Sequence, residues 1–234
     1  MAFFTAEHLT YVYPNGLRAL DDVSFFIEAE DCVGLVGGNG AGKSTLLAML
    51  CGLLLPTSGT AVIDGVPLCK ENLALIRNMI GLVFQNPDDQ LFMPTIREDV
   101  AFGLQNRGYS EERIRQKVAQ TLQHLHIEHL APRAPYQLSG GEKRSAAIAT
   151  VLAMDPHMVL FDEPTAFLDP RSKRNFIQLL LSMTSARLVA THDIDLVLRA
   201  CNRVLVLHRG KLLADDTPGC VFSDEALMDR AELI

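Results

Sequence analysis

Residues 32–45 read Cys32-Val33-Gly34-Leu35-Val36-Gly37-Gly38-Asn39-Gly40-Ala41-Gly42-Lys43-Ser44-Thr45, and this stretch decides the fold. A short apolar run of buried-strand character ends in a cluster of glycines, and a helical pattern follows from Lys43 to Cys51. Residues 37–44 satisfy G-x-x-x-x-G-K-[ST], and strand, loop, helix is the context in which that pattern binds phosphate. Gly37, Gly38, Gly40 and Gly42 let the backbone wrap phosphate oxygens closely, and Asn39 and Ala41 add further inward N–H groups. Lys43 is placed to reach the β- and γ-phosphates of a nucleotide. The Ser44 hydroxyl is placed to bind Mg²⁺, and Thr45 completes the nucleotide-binding set. A chain of this length with average composition matches the pattern by chance roughly 1% of the time, so a ligand-free glycine turn is the weaker reading.

Outward from the loop, the stretch up to about Ile63 alternates apolar and polar residues. Turn signals at Pro14-Asn15-Gly16 and Ser58-Gly59 predict an antiparallel β-region. From about Pro87 to Met154 the pattern becomes helical. Ser110 reads as an N-cap, and Ile114, Val118, Leu122 and Leu125 form an amphipathic stripe. After Pro156 strands return at 158–161, 188–190 and 204–207, with a helix from about Pro170 to Met183 between the first two. Strand, helix, strand predicts parallel pairing with crossovers. The expected architecture is therefore an α/β P-loop NTPase core with a mainly parallel sheet, an N-terminal antiparallel β-region and an inserted helical lobe. It is read as one domain over 1–234, with the core at about 1–86 and 155–234 and the lobe at about 87–154.

Composition narrows the partners. A net charge of −7 argues against a nucleic-acid footprint, which needs a clustered basic face. The longest apolar run, Leu46 to Leu55, is far short of the about 20 residues that span a bilayer. Met1-Ala2-Phe3-Phe4 lacks the features of a signal peptide, and five cysteines without a CxxC pair read as reduced thiols. A cytosolic chain is expected.

A phosphate loop alone leaves kinases, GTPases and motor ATPases open. Met158-Val159-Leu160-Phe161-Asp162-Glu163 is an apolar run ending in two acids: Asp162 can hold Mg²⁺ through water, and Glu163 can polarise an attacking water. Leu138-Ser139-Gly140-Gly141-Glu142 is less common. The Ser139 hydroxyl and the N–H groups of Gly140 and Gly141, at a helix start, read as a second anion site. One complete phosphate loop plus a separate phosphate-binding motif implies that the second serves a partner's nucleotide.

With these residues in place the sequence resembles the ATP-binding cassette family over essentially its whole length. Residues 138–142 match the LSGGQ signature, with Glu142 in its variable last place. The resemblance implies that Tyr13 stacks on adenine, with Tyr11 as the rival, and that Gln85 is the Q-loop glutamine sensing Mg²⁺ and the γ-phosphate. It further implies that Asp169 is the D-loop aspartate and that His192 is the switch histidine at the γ-phosphate. Phe167 departs from the small residue expected in the D-loop and is read as repacking that loop without removing Asp169. His124, His126 and His129 do not converge as metal ligands on a helix and read as a polar helix end. Arg18, Arg77 and Arg97 read as solvated charges.

The interval from Lys43 to Ser139 is too short for the coiled-coil insertion of DNA-repair cassettes, and the chain carries one cassette, not a tandem pair. Residues 81–103 and 137–154 resemble ATPase subunits of energy-coupling-factor importers, nearest the cobalt and nickel type, with Asp88-Asp89-Gln90 as a mark of that group. Ser145-Ala146 departs mildly from it, and no extra C-terminal domain follows to Ile234. The resemblance implies ATP and Mg²⁺ as ligands and a second copy of the chain, or a paralogous ATPase, as partner. It also implies integral membrane subunits as partners, a peripheral place on the cytoplasmic face of the cell membrane, and no contact with the transported substrate. A vitamin importer of the same class, and then a non-transport regulatory or translation ATPase, are the alternatives.

Overall fold

The computed structural model describes residues 2–233. Strands β1 (Ala2–Val12) and β2 (Arg18–Glu28) form a hairpin, and β4 (Ser58–Ile63) and β5 (Val66–Pro67) extend it to a four-stranded antiparallel sheet ordered β2-β1-β4-β5. The β1–β2 turn closes through Tyr13 N–H to Leu17 and Gly16 N–H to Tyr13, with Gly16 at φ 86°. Ser58-Gly59, expected as a turn, instead opens β4. A Cβ on Gly59 would lie 2.2 Å from the His8 carbonyl oxygen, so glycine is required by close strand approach. The turn lies further on, at Asp64-Gly65, where both residues have positive φ, as a tight hairpin demands.

β3 (Cys32–Val36) leaves this region for a second, six-stranded sheet. Its order is β10-β9-β3-β8-β7-β6, with β6 (Ile80–Val83), β7 (Met158–Asp162), β8 (Ala186–Ala190) and β9 (Arg203–His208) parallel to β3 and only β10 (Lys211–Asp216) antiparallel. Strands buried on both faces explain the continuous apolar runs. Helix α1 (Lys43–Leu50) lies between the sheets: Leu46, Leu47 and Leu50 share a core with Phe4, Leu20 and Ile27 of one sheet and Leu35, Leu160 and Leu188 of the other. The chain then turns through α2 (Leu73–Met79) into β6. Arg77 is exposed, as its reading as a solvated charge expects. It donates to the Gly52 carbonyl at 2.8 Å, near the C-terminal end of α1.

Against the opposite face of the parallel sheet pack α6 (Pro170–Ser182), α7 (Ile194–Ala200), α8 (Pro218–Ser223) and α9 (Glu225–Arg230), through Phe176, Leu180, Val197 and Val221. A third core joins α3 (Ile96–Asn106), α4 (Glu111–His124) and α5 (Gly140–Leu152) through Val100, Leu104, Val118, Leu122 and Ala146. Ser110 caps α4, its hydroxyl accepting from Arg113 N–H. No helix among the described residues is long and apolar enough to cross a membrane.

Candidate nucleotide site

The loop 37–42 leaves the C-terminal end of β3 at the middle of the parallel sheet, where strand ends converge. Two glycines are fixed by space. A Cβ on Gly37 would sit 2.1 Å from the Leu207 carbonyl oxygen, and one on Gly42, at φ 109°, would sit 2.5 Å from that of Ala19. The loop is thus wedged between β9 and β2, while Asn39 and Gly40 stay exposed. The Lys43 ammonium folds back over the loop and donates to the carbonyls of Gly37 (2.6 Å) and Gly38 (3.2 Å). Ser44 is exposed on the first turn of α1, and Thr45 is buried with its hydroxyl 3.1 Å from the Tyr13 hydroxyl. Tyr11 meets Tyr13 edge-on at 4.9 Å but packs on the core. Of the two tyrosines, Tyr13 reaches the helix that carries the loop.

The acid pair stands at the end of β7. Glu163 adopts a left-handed backbone (φ 43°), uncommon for a side-chain-bearing residue, and its N–H donates to Ala190. Its Oε2 accepts the Thr191 hydroxyl at 3.1 Å and the His192 N–H at 3.4 Å, and lies 2.9 Å from His192 Nδ1. Burial, reinforced by the neighbouring charge of Glu163, pushes the Asp162 carboxyl above its usual range, while Lys43 and Arg144 pull it back. Asp193 anchors the segment: it caps α7 through Leu196 N–H and accepts from Thr165 and Lys173 at 2.9 and 2.8 Å.

The 138–142 motif sits at the start of α5. Ser139 is its N-cap, and the Ser139 N–H (2.8 Å) and hydroxyl (2.7 Å) both donate to the Glu142 carboxylate in a capping box. Two donors read as an anion site are therefore engaged by the chain's own anion. These hydrogen bonds from Ser139 hold the Glu142 carboxyl below its usual range. Gly140 is open, whereas a Cβ on Gly141 would meet the Ser172 hydroxyl at 2.5 Å. Asp169 caps α6, accepting from the N–H groups of Arg171 and Ser172 and from the Ser172 hydroxyl.

Phe167 does not repack its loop. It is 97% exposed with φ 64°, a strained conformation for an aromatic residue. Gln85 is exposed and lines a cleft of ≈ 420 Å³ with Asp88, Gly140, Lys143 and Phe167. Ser139, Gly141 and the three histidines line another, of ≈ 920 Å³, against α6. The structure thus joins Glu163 to His192, Lys43 to Asp162 through their charges, and Tyr13 to Thr45. Ser139 and Gly141 lie against α6 instead. Thr191 was missed as a contributor. Its signal is that a hydroxyl residue follows an apolar strand directly, and it is fully buried.

A family model described as ABC transporter matches residues 20–166. The chain is 44% identical to the energy-coupling factor transporter ATP-binding protein EcfA of Methanothermobacter thermautotrophicus, over 96% of this chain and 74% of that protein. Among solved structures it is similar to CbiO1 of Clostridium perfringens, part of the ABC transporter complex CbiONQ (TM-score 0.89, 36% identity, 99% of this chain and 95% of that one). It is also similar to a dimeric ATP-binding cassette in a post-hydrolysis state bound to ADP and Pi (TM-score 0.82, 30% identity, 92% and 98%).

Proposed function

From the premise that the chain belongs to the ABC transporter family, as an ATP-hydrolysing subunit similar to EcfA and CbiO, we propose that it powers an importer of cobalt or nickel ions and does so as a head-to-tail pair of copies. The observation that carries the chemistry is the Glu163 carboxylate held between Thr191 and His192 beside Asp162. In this reading the N–H groups of residues 37–42, with Lys43, Ser44 and Thr45, bind the phosphates of ATP, and Tyr13 stacks on the adenine. Asp162 is crowded by Glu163 and raised by burial, so a cation is electrostatically favoured there. Ser44, Asp162 and Gln85 offer oxygen donors suited to a hard ion, and would hold Mg²⁺, which offsets phosphate charge when bound.

Glu163 takes a proton from the attacking water, and His192 orients the γ-phosphate and the carboxylate together. Ser139, Gly140 and Gly141 of the second copy close over the same phosphate, exclude water and complete the charge stabilisation, while Asp169 orders the loop between the two sites. Loss of the bridging phosphate releases the closed pair. That opening moves integral membrane subunits against which the chain lies on the cytoplasmic face, and the transported ion does not contact this chain.

The test is deletion in the native cell together with purification of the membrane-bound complex. Loss of cobalt or nickel uptake, with the chain recovered beside integral membrane proteins, supports the proposal. Loss of vitamin uptake alone assigns the chain to a vitamin importer. Recovery with ribosomes or other soluble machinery overturns the transport assignment.

A further inference from the structure

β6 is the edge strand of the parallel sheet, and the chain leaves the sheet after Val83. Backbone groups that leave a ladder need new partners. The Phe84 N–H finds Gln90, and the carbonyls of Phe84 and Gln85 find α5. The Phe84 N–H donates to Gln90 Oε1 at 3.1 Å, and the Gln90 amide in turn donates to the Ala147 carbonyl and the Thr150 hydroxyl of α5, both at 2.8 Å. The Phe84 carbonyl accepts from Arg144 Nη1 at 2.6 Å, and the Gln85 carbonyl from Arg144 Nη2 at 2.5 Å. Arg144 lies on the same first turns of α5 as Ser139 and Gly141, and is only 3% exposed.

A buried guanidinium ordinarily faces a carboxylate. Arg144 has none within ion-pair distance among the described residues. Two main-chain carbonyls receive one bond each from Nη1 and Nη2 while Nε stays buried without a partner, and the charge of Asp162 favours its cationic form against burial. Two carbonyls on successive residues suit the planar fork of arginine, whereas a lysine ammonium has no such fork.

We propose that Arg144 is a positioning residue for Gln85. It clamps the peptide from which the Gln85 side chain projects onto the helix that carries Ser139 and Gly141, so that the two nucleotide-facing motifs move as one body. This rests on reading Gln85 as a group that acts on the nucleotide.

The experiment is a double-mutant cycle in the full chain, with kcat and nucleotide Kd measured for wild type, R144M, R144K, Q85A and the two double variants. R144M is expected to lower kcat about tenfold or more while changing nucleotide Kd less than about threefold, with R144K intermediate. On the Q85A background either substitution should cost less than about twofold further. Equal losses in both backgrounds would show that Arg144 does not act through Gln85 and would overturn the proposal. Q85A with wild-type kcat would also overturn it while leaving the ATPase reading intact, whereas a wild-type chain without ATP hydrolysis would remove that reading itself. If R144M does not fold, the R144K arm completes the same cycle.

Discussion

His192 Nδ1 lies 2.9 Å from Glu163 Oε2, and that one oxygen also receives the buried Thr191 hydroxyl and the His192 N–H. A carboxylate oriented by a neighbouring strand end is positioned before substrate arrives, which is where such sites gain rate. Glu163→Gln should retain ATP binding and lose about 10²–10⁴-fold in kcat, the usual range for a lost general base. Thr191→Val removes one orienting hydrogen bond of about 1 kcal/mol and should cost about fivefold in kcat with little change in ATP affinity. Single-turnover hydrolysis measures both. Turnover near wild type in Glu163→Gln would reject the base.

Glu142 occupies the Ser139 donors that, in the proposed pair, would serve the other copy's phosphate. Glu142→Gln should weaken that competition and tighten ATP-dependent pairing roughly two- to fivefold, in line with single charges at helix N-termini. The pH dependence has a definite sign. The folded carboxyl is depressed below 4.5 by Ser139, so its stabilising contribution is present above 4.5 and fades as pH falls through the lower folded value. Wild type should therefore melt slightly above Glu142→Gln near neutral pH, and the gap should close in acid. A gap that widens in acid contradicts the capping assignment.

Phe167 stands exposed at φ 64°. Relief of left-handed strain, less the entropy glycine adds to the unfolded chain, should make Phe167→Gly about 0.5–1 kcal/mol more stable. Urea titration reads this directly, and a destabilised variant would mean the ring is held by contacts within the chain.

Tyr13 shares a hydrogen bond with Thr45 on the helix that begins at Lys43. Stacking on a base is worth about 1–3 kcal/mol, so Tyr13→Ala should weaken ATP at least several-fold and Tyr13→Trp should be tolerated. A larger loss from Tyr11→Ala would transfer the role to that residue.

Much of this was legible because local chemistry and global fold agree. The loop at 37–44 needs its glycines for reasons visible in the pattern, and the apolar runs at 158–161, 188–190 and 204–207 became parallel strands because nothing polar interrupts their burial. The misreadings have physical causes. Ser58-Gly59 looks like a turn, but glycine there answers to His8 on a strand distant in sequence. The capping box at Ser139 was present in the S-x-x-E spacing, yet only the folded chain shows the carboxylate seated on the donors. Thr191 carried no motif of its own, because its value comes from the strand register that sets it beside Glu163.

The central claim, that one copy's phosphate loop and another's signature motif make a single site, is tested most directly by ATP occlusion in verified mixed pairs of Lys43→Ala and Ser139→Arg chains. Each variant paired with itself should occlude none. In the mixed pair both lesions fall in one site, and the other site keeps an intact Lys43 and an intact Ser139. Such pairs should occlude about one ATP per pair. Mixed pairs that occlude none, or occlusion by a chain shown to be monomeric, would contradict the shared site.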